Sequence, residues 1–128
     1  CHLDAPANDE WFVAARFRFD AQPDASTDRI KSLLERRRET QPIGEWSCGS
    51  TFTNPPGDHA ARLIEAAGLK GHRIGGAAVS TKHANFLINE GHASAADIER
   101  LIAHVQATVE RVHGVRLVPE VRILGEHA

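Results

Sequence analysis

The sequence predicts an α+β domain in which a small, mainly antiparallel sheet packs against helices. Two stretches, near 58–67 and 95–113, carry apolar residues at helical spacing, and burying each large side chain is worth about 1.5–3 kcal/mol. Four short apolar segments, near 77–79, 85–89, 115–118 and 120–124, are the expected strands. With 128 residues, of which 41% are hydrophobic and 25% charged, the chain has the composition of one soluble domain.

Charge and composition exclude several classes of protein. The formal net charge is -2 with both signs interleaved, whereas a general nucleic-acid binder is normally clearly basic. No apolar run approaches the roughly 20 residues that span a bilayer, and there is no signal-peptide pattern. Cys1 and Cys48 do not make a disulfide framework. We therefore expect a cytoplasmic protein.

The N-terminal part is expected to belong to something longer, because the chain contains no methionine. Residues 11–19 alternate between apolar and basic side chains, which predicts a strand whose partners lie upstream. After a polar linker at 21–27, an amphipathic helix is expected up to Thr40. The three arginines at 36–38 suit the negative end of that helix as a solvated face, with anion binding as the alternative.

The stretch at 47–57 concentrates hydroxyl, thiol and amide side chains among turn-forming residues. Gly49 permits a tight backbone approach beside Ser50, residues 51–53 alternate like a strand, and Asn54 precedes two prolines, which hold it away from the helical region. A hydroxyl is therefore presented at a strand edge with an amide four residues on. The pattern is also typical of an ordinary loop between two helices.

Two helices are expected in the second half of the chain. Asp58 is the expected cap of a short helix that ends at Gly68, and residues 94–97 open the longest helix, with Gly114 after its end. Between them, the paired glycines Gly75 and Gly76 suggest a backbone that a ligand, for example a phosphate, can approach closely. That segment matches neither of the known phosphate-loop patterns.

An acid near the C-terminus has two interpretations. Pro119 must lie at an edge or a bulge, because it has no backbone N–H to donate. Glu120 follows it among apolar residues, and is either a structural acid on an outward face or an acid placed there for its chemistry.

Taken in order, the segments at 47–57, 69–80, 82–86 and 119–122 resemble the C-terminal, substrate-binding part of UDP-N-acetylenolpyruvoylglucosamine reductase, in its shorter bacterial subtype. The resemblance covers roughly residues 28–126. It implies that residues 1–20 hold the last strand of a flavin-binding domain and that residues 21–128 form the C-terminal substrate-binding domain. The flavin domains themselves lie outside these residues.

The resemblance also implies a reaction. This family reduces the enolpyruvyl group of a UDP-sugar in peptidoglycan precursor synthesis, with FAD bound mainly by the upstream domains and NADPH as co-substrate. A hydride reaches C3 from the reduced flavin, and C2 is then protonated. Ser50 matches the proton donor, and Glu120 matches the acid that stabilises the enolic intermediate, a role that suits a protonated carboxyl group.

Asn54 matches a substrate-contacting amide of the family. Within the matching motifs, four further positions could line the nucleotide-diphosphate pocket: Lys70, Arg73, Lys82 and Asn85. The histidines show no tight ligand spacing, so no metal is expected. Two other functions stay open. The chain could be a non-catalytic UDP-sugar binding module of the same fold, or an unrelated α+β interaction domain in which the serine and the acid are structural.

Overall fold

The structure, a computed structural model, describes residues 13–20 and 27–125 of the chain. Within these residues the structure has three helices and four short strands, as expected for a small α+β domain. In chain order they are α1 (Thr27–Thr40), β1 (Trp46–Ser50), α2 (Ala60–Ala66), β2 (Arg73–Ile74), β3 (Ala77–Val79), β4 (Phe86–Asn89) and α3 (Ala95–His113).

The four strands form one antiparallel sheet in the order β1-β4-β3-β2. The predicted strands near 77–79 and 85–89 are confirmed as β3 and β4. The predicted strands at 115–118 and 120–124 are wrong, because the tail makes only an isolated bridge between Phe52 and Pro119. Its place in the sheet is taken by β1, whose polar sequence carries no alternating apolar signal.

The core lies between the sheet and the helices α2 and α3. Leu63 and Ile64 of α2 and Leu101 and Val105 of α3 are at most 2% exposed, so the two predicted apolar stripes face inward as expected. Fully buried side chains from outside the helices complete this core, among them Phe52, Val79 and Leu117.

The ends of α3 follow the predicted local signals. Ser94 and Asp97 form a reciprocal capping box, and Gly114 ends the helix in a left-handed conformation. The Ser94 backbone and hydroxyl, together with Arg100, hold the pKa of Asp97 at about 2. The predicted cap of α2 is wrong, because the carboxylate of Asp58 accepts from the His59 N–H and pairs with Arg62 instead.

The strand expected at 11–19 stays a prediction, because its expected partners lie upstream. Residues 13–20 are exposed and form neither helix nor strand in the structure, and residues 11 and 12 lie outside the described residues. A strand needs a hydrogen-bonded neighbour to be stable. The helix expected up to Thr40 is confirmed as α1, although its apolar residues Ile30, Leu33 and Leu34 are exposed. Among the described helices, none is long and apolar enough to cross a membrane.

Candidate active site

Ser50 is the last residue of β1 and lies on an irregular part of the sheet. The register between β1 and β4 shifts between Ser47 and Ser50, and Gly49 within this bulge has a φ of 83°. Because a left-handed conformation is costly for other residues, glycine permits this bulge, which re-aims the next side chain. Ser50 is exposed there, opposite Phe86 of β4.

Glu120 reaches the same place from the far end of the chain. Its backbone N–H donates to the carbonyl oxygen of Thr51 at 2.8 Å, and the N–H of Thr53 donates to that of Val118 at 2.9 Å. These two bonds fix the tail beside residues 51–53. Ser50 and Glu120 consequently line the same two adjoining pockets, of about 270 and 220 Å³.

The larger of these pockets, which we call the Ser50 pocket, is lined by polar and aromatic side chains from three parts of the chain. It brings together four of the seven residues that the sequence predicted for the site, while the other three lie elsewhere. The lining residues are Ser50, Phe52, Thr53, Asn54, His59, Ala61, His83, Asn85 and Glu120.

The two asparagines of the Ser50 pocket are both held by backbone groups. The Oδ1 atom of Asn54 accepts from the N–H of Ala60 at 3.0 Å, at the first turn of α2. The amide of Asn85, which is buried, bonds both backbone groups of Phe52. Asn54 therefore ties the pocket to α2, and Asn85 ties it to the start of β4.

Two histidines of the Ser50 pocket were missed by sequence reasoning. His83 packs edge-on against Phe86, with ring centroids 4.9 Å apart, and burial together with the nearby charge of Lys70 lowers the pKa of its imidazole. His59 comes from the N-terminal end of α2. The only available signal was the polar run at 81–85 that contains His83. In the described part of the chain, no group of three or more His, Cys, Asp or Glu side chains could hold a metal ion.

The three basic residues predicted for substrate contact lie outside the Ser50 pocket. Lys70 pairs with Glu65 at 2.9 Å, and Arg73 forms a forked pair with Glu90 at 2.8–3.2 Å. Lys82 donates through Nζ to the carbonyl oxygen of Arg38 at 2.8 Å, at the end of α1. The two ion pairs lie on an exposed surface and contribute little to stability, so an anionic ligand can displace them.

The paired glycines of the 69–80 segment have a structural explanation. A Cβ atom on Gly76 would lie 2.5 Å from the backbone nitrogen of Ala93, and the Gly76 N–H faces Oδ2 of Asp97 at 3.5 Å. The carboxylate of Asp97 likewise occupies the space where a side chain on Gly75 would lie. The glycines therefore make room for the chain's own loop and acid rather than for a phosphate.

Comparison with known proteins shows the family of the chain. Residues 41–124 match the family model described as UDP-N-acetylenolpyruvoylglucosamine reductase, C-terminal domain. A protein of that name from Alkalilimnicola ehrlichii is 62% identical over 128 residues, covering 98% of this chain and 42% of the relative. Another from Thiobacillus denitrificans is 58% identical over 120 residues, covering 93% of this chain and 37% of the relative.

A solved structure supports the same relationship. A crystal structure of UDP-N-acetylenolpyruvylglucosamine reductase from Thermus caldophilus matches with a TM-score of 0.57 at 39% identity, covering 70% of this chain and 32% of that one. The chain thus spans about two fifths of the length of the curated relatives it matches. The match of residues 41–124 to the family model and the identity to these relatives establish that the chain belongs to the UDP-N-acetylenolpyruvoylglucosamine reductase family, as its C-terminal domain.

Proposed function

We propose that this chain is the substrate-binding part of a cytoplasmic, FAD-dependent oxidoreductase. The whole enzyme reduces UDP-N-acetylglucosamine enolpyruvate to UDP-N-acetylmuramate with NADPH, which supplies a precursor of peptidoglycan. The observation that carries the proposal is the meeting of Ser50 and Glu120 in the Ser50 pocket, from distant parts of the chain. The names of the relatives, all reductases of this substrate class, support it.

Ser50 is the proposed proton donor. Addition of a hydride at C3 of the enolpyruvyl group leaves negative charge at C2. The resulting carbanion is a far stronger base than water. The Oγ–H of Ser50 gives its proton to C2, so that the O–H bond breaks and a C–H bond forms. Ser50 is exposed, so water can return a proton to its oxygen.

Glu120 is proposed to stabilise the charge that spreads from C2 into the neighbouring carboxylate of the substrate. A hydrogen bond from this acid to the substrate strengthens as the charge develops. Only the backbone of Glu120 is used to hold the tail, through its bond to Thr51, and its side chain is exposed. The carboxyl group is therefore available to the substrate.

The pockets that border Ser50 are too small to hold FAD by themselves. The two pockets that border Ser50 measure about 270 and 220 Å³, below the range of roughly 300–1,000 Å³ that is usual for drug-sized ligands. We therefore assign FAD mainly to the upstream domains, which correspond to the part of the relatives that this chain does not cover. Residues 1–20 would carry the last strand of those domains, and 21–128 the substrate-binding domain.

The rest of the substrate is proposed to contact Asn54, Lys70, Arg73 and Lys82. Asn54 and Asn85 border the Ser50 pocket, whereas Lys70, Arg73 and Lys82 lie outside it in exposed pairs. The diphosphate of the nucleotide carries the charge that could replace the acidic partners of Lys70 and Arg73. Asn54 is the proposed amide contact to the part of the substrate nearest the reacting group.

The decisive experiment is Ser50→Ala in the full-length enzyme, with the two half-reactions measured separately by stopped-flow absorbance of the flavin. Reduction of the flavin by NADPH should stay near the parent rate. Reoxidation by the enolpyruvyl substrate should slow by about 10²–10⁴, which is the usual cost of losing one positioned acid.

Ser47→Ala is the matched control, because Ser47 is an exposed serine of the same strand that lines neither of the two pockets bordering Ser50. It should leave both half-reactions near the parent rate. Reoxidation of the Ser50→Ala enzyme at the parent rate would make Ser50 a turn residue. A parent protein that binds the UDP-sugar but never reduces it would instead support the non-catalytic binding module.

A further inference from the structure

We propose that Asn85 is a positioning residue that sets the relative placement of Ser50 and Glu120, and that it acts through the backbone of residues 51–53 rather than by contact with substrate. The inference rests on the proposed function, because it concerns the same pocket.

The side chain of Asn85 is committed to one neighbouring residue. It is 4% exposed, its Oδ1 atom accepts from the N–H of Phe52 at 3.0 Å, and its Nδ2 atom donates to the carbonyl oxygen of Phe52 at 2.8 Å. A paired amide of this kind imitates the two hydrogen bonds that a neighbouring strand residue would make. Phe52 itself is 1% exposed, so these bonds are made away from water.

The imitation is needed because the sheet ends at this point. The last pair between β1 and β4 joins Ser50 to Phe86, and Phe86 is the first residue of β4. Beyond it, the Phe86 N–H donates back to the His83 carbonyl, which marks a turn rather than a continuing strand. On the side of β4, residues 51–53 therefore have no neighbouring strand. The Asn85 side chain supplies the hydrogen bonds that such a strand would make.

The backbone between Asn85 and the acid is continuous in hydrogen bonds. The N–H of Thr51 donates to the carbonyl oxygen of Asn85 at 2.8 Å, and the carbonyl oxygen of Thr51 accepts from the N–H of Glu120 at 2.8 Å. Thr51 and Phe52 directly follow Ser50 in the chain. This short segment consequently links the position of the proton donor to that of the acid.

This arrangement separates two roles that sequence similarity alone does not separate. A residue that contacts substrate changes how tightly substrate binds, whereas a residue that aligns the reacting groups changes the rate at saturation. Because both polar atoms of the Asn85 side chain are engaged by Phe52, the geometry favours alignment.

The test is Asn85→Leu in the full-length enzyme, with flavin reoxidation measured over a range of UDP-N-acetylglucosamine enolpyruvate concentrations. Leucine keeps the size of the side chain but removes both bonds to Phe52. The limiting rate should fall by about 10²-fold, as expected for a displacement of the reacting groups by roughly 1 Å. The half-saturating substrate concentration and the rate of flavin reduction by NADPH should change little.

Asn89→Leu is the matched control, because the Asn89 amide also accepts backbone bonds, from Gly91 at 2.8 Å and Ala93 at 3.0 Å, but at the far end of β4. It should lower the melting temperature without slowing reoxidation. Should Asn85→Leu fail to fold, Asn85→Gln keeps both amide groups but displaces them by one methylene, and should show a smaller loss in the same step.

The outcomes are distinct. A raised half-saturating concentration with an unchanged limiting rate would make Asn85 a direct substrate contact and overturn the inference. Equal limiting rates in the parent enzyme and the Asn85 variants would make it purely structural and would also overturn it. A parent enzyme whose flavin the substrate never reoxidises would instead refute the proposed function itself.

Discussion

Replacing Gly76 with alanine tests whether the paired glycines serve packing or ligand binding. The new Cβ atom would lie 2.5–2.8 Å from backbone atoms of His92 and Ala93, and backbone cannot move aside as a flexible side chain can. Overpacking of this kind costs about 1–3 kcal/mol, and we expect the upper part of that range. Alanine also makes the unfolded chain stiffer, which offsets at most about 1 kcal/mol of this cost. The free energy of unfolding should therefore fall by about 2 kcal/mol.

The assay is thermal unfolding followed by circular dichroism, in which about 2 kcal/mol corresponds to a melting temperature roughly 8 °C lower for a domain of this size. Gly57→Ala is the control, because a Cβ atom on Gly57 would have no neighbour within 4 Å, so only its φ of 77° opposes the change. If Gly76→Ala were no more destabilising than Gly57→Ala and instead weakened binding of a UDP-sugar, the packing explanation would be refuted.

Two further predictions concern the core and the response to pH. Leu101→Ala should lower the free energy of unfolding by about 2–5 kcal/mol in urea titrations, because Leu101 is fully buried. The control Leu34→Ala, on exposed α1, should change the free energy of unfolding by no more than about 0.5 kcal/mol. Equal losses in the two variants would refute the assigned core. Burial, followed by the charges of His72 and Arg111, lowers the pKa of His104 below 6.5, so the unfolded chain binds more protons and stability is lost as the pH falls below that value. His104→Gln should flatten this loss between pH 7.5 and 5.5 in the same titrations, and an unchanged slope would contradict the assignment.

The helices could be predicted from the sequence because their signals are local. The apolar stripe of α3, its capping box at Ser94 and the glycine after its end all lie within one continuous stretch, and the structure confirms them. The strand β1 could not be predicted in the same way. Its residues are polar and largely exposed, and it becomes a strand only because β4 offers it hydrogen-bonding partners.

For the tail, residues 115–124, strands were predicted where the structure has none. Its apolar residues suggested two strands, but Val118, Ile123 and Leu124 are exposed, and only Leu117 is fully buried. The sequence suggested Ser50 as a presented hydroxyl and Glu120 as an acid with two possible roles, and the family resemblance gave each a function. That both border one pocket depends on contacts between distant parts of the chain, which local patterns do not contain.

The bonds between residues 51–53 and the tail have a consequence for the order of folding. Thr53 and Val118, which are joined by side-chain and backbone bonds, are separated by 65 positions in the chain. Closing so long a loop costs conformational entropy before stabilising contacts can form. The hairpin of β2 and β3 and the turns of α3 need only contacts between residues that are close in sequence. We therefore expect the local elements to form first, and the bonds between residues 51–53 and the tail to be among the later events of folding.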